Sequence, residues 1–383
     1  MRAVGLMSGT SLDAIDAALV EIVPRGEGYA IELLHFHCEP YPDALRRALF
    51  DALPPNAGSV AAVARLHRDL GSVYARAARA AAATKAVGYV ASHGQTLWHD
   101  GAAGLTLQLG DAFVIREEVG VTVCYDFRSA DCAAGGHGAP LAAWADLMLF
   151  GDAREDRAVL NLGGIANVTL LRRGAARDGA IAFDTGPGNM LLDAFVRDRT
   201  HGERRYDAGG ALAARGRVDS PLVEAMLGDS YFALAPPKTT GRERFGAHFL
   251  ARYDERLRSL SLEDGAATLT EVTAASVASA IERCGFAPAR LIVSGGGACN
   301  ETLLTRLRAR LNGVRVERSD AMGIPADAKE AILFALLGYE TLRGRAANLP
   351  AATGAAHPAV LGAIAPVNLP ALLAQIAAEC AAA

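Results

Sequence analysis

The stretch VGLMSGTSLDAIDAALVEI, residues 4–22, decides the fold. An apolar run enters a turn of Ser8, Gly9, Thr10 and Ser11, and a second apolar, partly alternating run follows. That pattern predicts strand, tight turn, strand. Small residues and hydroxyls let backbone N–H and side-chain O–H groups converge on an anion. No Gly-Lys-Ser/Thr closes the turn, so it is not a Walker loop. Gly9, Thr10, Ser11, Leu12, Asp13, Ala14, Ile15 and Asp16 are therefore candidates for holding phosphate. A second copy, AVLNLGGIANVTLL at residues 158–171, repeats the design around Gly163 and Gly164. Two such hairpins about half a chain apart predict duplicated halves, with a nucleotide clamped between two lobes.

Composition agrees with that size and class. At 383 residues the chain exceeds what one core usually spans. It is 51% hydrophobic and only 21% charged, enough apolar material for large cores. A net charge of −4 leaves no basic excess for nucleic acid or an acidic membrane face. Cys38, Cys124, Cys132, Cys284, Cys299 and Cys380 form no CxxC pair, as expected for reduced thiols in a cytoplasmic protein. No apolar run approaches the ~20 residues that cross a bilayer.

Along the chain, strands alternate with helices and end in polar residues, the pattern of an α/β lobe. Residues 30–37 predict a third strand, on which His35 and His37 mark a sheet face better than a metal site. Residues 43–52 and 59–85 predict helices, and 87–91 a buried strand delivering Ser92, His93, Gly94, Gln95 and Thr96. Strand 121–125 delivers Asp126 and Arg128, and Gly135, Gly136, His137 and Gly138 then make a crossover loop where backbone approaches a ligand. In the second half, residues 205–234 read as helical, followed by helices at 248–262 and 270–284. The run PPKTTGRE, residues 236–243, combines positive charge and hydroxyls and reads as a phosphate or substrate loop. An apolar strand, 290–294, then meets Gly295, Gly296 and Gly297, the expected seat for the adenosine half of a nucleotide.

The sharpest catalytic signal is FDTGPGN, residues 183–189. Asp184 ends a strand and precedes a Gly/Pro turn that opens a helix. Near the positive end of that helix it should stay ionised and accept a proton from a nucleophile. Helix capping alone would not need so long and glycine-laden a turn.

With these stretches in place, the chain resembles the anhydro-N-acetylmuramic acid kinase family, within the sugar kinase/actin/heat-shock-ATPase superfamily. The resemblance rests on GLMSGTSLDAID, SHGQTLWH, QLGD, DFRSADCAAGGHGAPL, NLGGIANVT, FDTGPGNMLLDA, PPKTTGRE, VSGGGACN and DAKEA, in family order over nearly the whole length. It implies an α/β, two-lobed actin/hexokinase-like (ribonuclease H-like) fold, with ATP and Mg2+ as cofactors. It implies further that water opens the 1,6-anhydro bridge while the freed O6 takes the γ-phosphoryl group, giving N-acetylmuramic acid 6-phosphate in cell-wall recycling. Asp184 matches the family's base. Ser92, Gln95, Thr96, Arg128, His137 and Glu330 match stretches near the sugar. Asp13 or Asp16 would stand toward Mg2+. The expected partners are the anhydro-amino-sugar, ATP and a second copy in a homodimer.

Two departures stand out: Ala14 where glycine is expected, and His137 where glutamine is expected. The expected lobes are residues 1–134, completed by part of the C-terminal tail, and residues 135–383. A conventional sugar kinase or a lobe-moving actin-like ATPase is the alternative. A partner subunit using His93 and His99 for metal is a further rival.

Overall fold

The computed structural model describes residues 1–9, 12, 14–26, 28–53, 58–174 and 179–382. Thr10, Ser11 and Asp13 of the first turn lie outside them. The chain divides into two units, residues Met1–Leu149 with Ala328–Ala383, and Phe150–Asp327.

The first unit opens with β1 (Arg2–Met7), β2 (Ala14–Arg25) and β3 (Gly28–Pro40), successive antiparallel neighbours. Next come β4 (Tyr89–Ser92), the two-stranded hairpin β5 (Gln95–Asp100) and β6 (Leu105–Leu109), and β7 (Thr122–Tyr125). β4 lies parallel to β1, and β7 parallel to β4. In the second unit, β8 (Arg157–Leu162), β9 (Ile165–Leu171) and β10 (Ala180–Pro187) are again antiparallel neighbours. β11 (Arg290–Ser294) lies parallel to β8, and β12 (Arg315–Arg318) parallel to β11. Both sheets thus run 3-2-1-4-5 by order of appearance with the second strand reversed, which is the ribonuclease H-like arrangement. The first adds β13 (Ala363–Ala365) at its β7 edge.

Each sheet is covered by helices whose apolar spacing was legible. The helix Val60–Ala82 is capped by the Ser59 side chain, which accepts from the Ala62 amide, and it buries Leu66, Leu70, Val73, Tyr74 and Ala77 against the first sheet. Burying a Leu or Val side chain is worth roughly 1.5–3 kcal/mol, so this face holds the helix in place. The other face is covered by Lys329–Leu342, which packs on β1, β2 and β4. Gly5 makes that approach possible, since a Cβ there would lie 1.8 Å from the Ala331 carbonyl oxygen. In the second unit, Leu262–Arg283 and Glu301–Arg310 pack Val277, Ile281, Leu303, Leu304 and Leu307 against strand residues such as Leu160 and Leu291.

Several sequence expectations change. The division falls after Leu149 rather than after residue 134, and all of Ala328–Ala383 joins the first unit. The reason is physical: the β1–β4–β7 sheet needs a helix on its second face, and the chain supplies it only after the other unit is finished. Residues 205–234 hold one α-helix, Ser220–Leu227, with short turns around it. Residues 248–262 break into Ala247–Ala251 and Asp254–Ser259, while Leu262–Arg283 is one continuous helix.

Candidate active site

In the first unit the ends of β1, β4 and β7 gather the polar residues. Ser8 Oγ accepts from the Tyr41 hydroxyl at 2.8 Å, and its single proton has the Gln95 Oε1 at 2.9 Å and the Ala14 carbonyl at 3.0 Å within reach. The Tyr41 hydroxyl also lies 3.1 Å from Gln95 Oε1. All three side chains are buried, so this network props the first hairpin. Gln95, expected beside the sugar, is thus held under the hairpin through its carbonyl oxygen. Leu12 and Ile15 are fully buried in the apolar core, so any phosphate contact from them is through backbone. Leu12 sits at φ 55°, the left-handed region that a turn can demand of a non-glycine residue. Ala14 begins β2, where a Cβ is ordinary, and Asp16 is half-buried beside Tyr41.

Arg128 donates from Nε to His93 Nε2 at 3.0 Å and from Nη1 to the Gly138 carbonyl at 2.7 Å. His93 Nδ1 donates to the Gly94 carbonyl at 2.7 Å. Accepting at Nε2 and donating at Nδ1 defines a neutral imidazole. Burial, helped by the Arg128 charge, pushes its pKa well down in the same direction. With both ring nitrogens engaged, His93 is not half of a metal pair with His99. Glu330, at the start of Lys329–Leu342, faces Arg128; burial raises its pKa, while the Lys329 and Arg128 charges pull it back. Lys329 itself forms a buried ion pair with Asp146 at 2.7 Å. Ser92 is buried and Thr96 half-buried, and Thr96 Oγ1 accepts from Gln108 at 3.4 Å.

The loop carrying His137 is pinned by Asp131, a fully buried carboxylate that sequence reading passed over. It accepts from the Gly138 amide at 2.8 Å, Asn348 Nδ2 at 2.6 Å and Thr353 Oγ1 at 2.7 Å. Two of those donors lie more than 200 residues downstream, which is why no local signal marked it. His137 itself is exposed, and its amide donates to the Thr353 carbonyl.

In the second unit the expected glycines come together. The Gly163 and Gly164 carbonyls accept from the amides of Asn189 and Gly188, and a Cβ on Gly188 would stand 2.3 Å from the Gly163 oxygen. Gly295 adopts φ +78°, and a Cβ there would meet Asn161 Oδ1 at 2.7 Å. A Cβ on Gly297 would meet Leu162 Cβ at 2.6 Å, whereas Gly296 faces open space. The three elements therefore share Asn161, Leu162 and Asn189 as neighbours. Such a cradle fits a nucleotide, whose phosphates need close amide approach. Gly210, with φ +75° and packed on Asn300 and Thr302, borders it; the Gly209-Gly210 pair was its only sequence signal.

Asp184 lies in β10 at an irregularity of register between Asp184 and Gly186. Its Oδ2 accepts from the Thr240 amide at 2.9 Å, its amide donates to the Lys238 carbonyl at 3.1 Å, and its carbonyl accepts from the Tyr231 hydroxyl at 2.8 Å. Burial raises its pKa to about 6; the Thr240 bond lowers it, the Glu243 charge raises it, and Lys238 lowers it. The helix expected to hold the carboxylate ionised begins only at Met190, and burial is the largest influence on Asp184, so the charged form prevails above about pH 6. Loop 236–243 also differs from an open cationic loop, because Lys238 is only 8% exposed and donates to the Tyr231 carbonyl at 3.3 Å. Tyr231 escaped sequence reading and Thr240 was read only as part of the 236–243 loop, since their common partner is 47 or more residues away.

Among the described residues, no group of three or more His, Cys, Asp or Glu side chains is placed to hold a metal ion. No helix among them is long and apolar enough to cross a membrane.

The family model described as "Anhydro-N-acetylmuramic acid kinase" matches residues 1–367. Curated proteins of that name are similar along nearly the whole chain. The one from Streptomyces coelicolor is 44% identical over 385 residues, covering 99% of this chain and 97% of that protein. That from Xanthomonas axonopodis pv. citri is 46% identical over 372 residues, covering 94% and 97%. That from Caldanaerobacter subterraneus subsp. tengcongensis is 40% identical over 379 residues, covering 94% and 96%. Among solved structures, a ROK family glucokinase from Streptomyces griseus in complex with glucose and AMPPNP is 14% identical, with a TM-score of 0.40 over 88% of this chain and 99% of that one.

Proposed function

The chain belongs to the anhydro-N-acetylmuramic acid kinase family, and from that premise we propose how its residues divide the reaction. The enzyme is an ATP-using kinase acting on the anhydro-amino-sugar. Asp184 is its general base. Ionised above about pH 6, the carboxylate takes a proton from water as the water oxygen bonds to C1 of the sugar. The C1–O6 bond breaks, and the O6 electron pair attacks the γ-phosphorus as ADP leaves. An alkoxide would be a poor leaving group alone, and phosphoryl transfer captures its charge as it forms. The observation that carries this reading is a half-buried aspartate whose carboxylate is fixed by a backbone amide and raised toward neutral pH.

Arg128, Glu330, Ser92, Thr96 and His137 are the sugar contacts in this reading, and Gln95 acts through the hairpin. Arg128 has its Nε and Nη1 committed to His93 and Gly138, which orients the guanidinium plane. The turns at Gly9–Asp16 and at Gly163, Gly164 and Gly295–Gly297 hold ATP. Mg2+, arriving with the phosphates, would neutralise charge on the transferring group. Such an ion commonly needs only one or two protein carboxylates besides phosphate and water. Asp16 is the candidate among described residues; Asp13 lies outside them. A homodimer working in the cytoplasm in peptidoglycan recycling completes the proposal.

The test is product analysis from 1,6-anhydro-N-acetylmuramic acid, ATP and Mg2+ in 18O-labelled water. A sugar phosphate carrying one 18O at C1, lost in Asp184→Asn, is the expected result. Phosphate transfer without 18O at C1 would overturn water attack there, and an active Asp184→Asn would overturn the base.

A further inference from the structure

We propose that Lys238 is a positioning residue for Asp184, so that loop 236–243 is part of the base assembly and not an anion-binding loop. The inference rests on reading Asp184 as the base.

The geometry begins with the backbone. Loop 236–243 grips Asp184 at both levels: the Lys238 carbonyl takes the Asp184 amide, and the Thr240 amide reaches its Oδ2. Between those two residues the loop turns the Lys238 side chain inward. Its ammonium lies 4.6 Å from the centre of the Tyr231 ring and 5.9 Å from that of Phe183, and donates to the Tyr231 carbonyl. Tyr231 in turn donates its hydroxyl to the Asp184 carbonyl. Tyr231 is anchored from behind by Asp229, which accepts from the Tyr231 amide at 3.0 Å and pairs with Arg244 at 2.6 Å and Arg252 at 2.9 Å. Burial alone would raise the Asp229 pKa, but these donors bring it to about 2. The ring over which Lys238 sits is therefore tied to a firmly ionised group.

A cation buried on an aromatic face is strongly placed. It is also unavailable to a phosphate in solvent, which separates this reading from the one the sequence invited. Its effect is electrostatic as well as steric. The charged groups acting on Asp184 are Lys238, which favours the carboxylate, and Glu243, which disfavours it. Those acting on Lys238 are Arg283, Cys284 and Asp184, and burial lowers its own pKa. The two carboxylate-tuning charges lie at either end of the Lys-Thr-Thr-Gly-Arg-Glu run, one buried and one exposed. The loop can thus set where the base titrates without touching substrate.

The experiment is the pH profile of kcat/KM for wild type, Lys238→Met and Glu243→Gln, alongside Asp184→Asn. Removing an opposite charge near a carboxylate should move the acid limb of Lys238→Met upward by about one pH unit. Activity should then recover toward wild type at pH 9. Glu243→Gln should move the limb the other way. A limb unmoved in both, with activity lowered equally at every pH, means a structural role only and overturns the proposal. An active Asp184→Asn would instead sink the base reading, so the two failures are distinguishable. If Lys238→Met does not fold, side-chain 15N NMR of the lysine ammonium decides the matter. Reciprocity requires Lys238 to titrate lower in Asp184→Asn than in wild type, and an unchanged titration overturns the proposal.

Discussion

In the first unit, Ser8 and Tyr41 at the open end of the three antiparallel strands meet Gln95 of β5, neutral groups that satisfy one another beneath the turn. In the second unit, the matching strands carry Asp184, a single carboxylate held by backbone and raised to about 6 by burial. The two sheets have the same order and strand directions. What differs is whether the polar group at the strand ends is ionisable. Where neutral side chains meet, the sheet end becomes a rigid support. Where a carboxylate is buried with a backbone amide as its partner, desolvation leaves it poised between its two protonation states, which is the property a base needs near neutral pH. A duplicated scaffold therefore supports two kinds of chemistry through burial and hydrogen bonding alone.

The largest expected effect breaks the second half of this comparison. Asp184→Asn should lower kcat by roughly 10²–10⁴-fold while sugar KM changes little, measured by steady-state kinetics. The same substitution should stabilise the protein at high pH. A carboxyl raised in the folded state favours folding while protonated, and that contribution disappears as pH climbs through about 6. Asp184→Asn should therefore gain about 3 kcal/mol over wild type at pH 8 and almost nothing near pH 3, by denaturant unfolding at each pH. Wild-type kcat/KM should rise across the same interval, so activity and stability move in opposite directions. A variant with unchanged stability at pH 8 would mean that Asp184 carries no desolvation cost.

In the first unit, Asp131→Ala removes a fully buried acceptor from Gly138, Asn348 and Thr353. It should cost about 3 kcal/mol and raise sugar KM through the freed His137 loop. Equal loss of ATP and sugar affinity would argue that Asp131 supports the whole unit and not that loop. Gly297→Ala should raise ATP KM about tenfold with sugar KM unchanged, because its methyl group would press on Leu162. His137→Gln should have the smallest effect, within about threefold on sugar KM, since the side chain is exposed and the loop is held by backbone.

Much of this was legible locally. Both hairpins, the capped helix after Ser59, the three-glycine turn and the Asp184 strand end follow from short-range pattern. The helix after the third glycine turn was legible because Leu303, Leu304 and Leu307 recur at helical spacing. Residues 205–234 misled because their Ala and charge content suits a helix, although Gly209 and Gly210 both adopt positive φ. Loop 236–243 misled in another way: its composition announces charge, and composition does not reveal the direction in which a lysine points.

What the sequence by itself determined is the pair of strand–turn–strand units, their family and the aspartate proposed as base. Each depends on residues within a few positions of one another, where spacing and backbone preference are sufficient. Only the tertiary structure decided that Lys329–Leu342 closes the first unit, that Asp131 holds the His137 loop through Asn348 and Thr353, and that Lys238 turns inward beneath Asp184. Those outcomes depend on which groups lose water together. Desolvation is a property of residues brought together from distant parts of the chain, and no local stretch carries it.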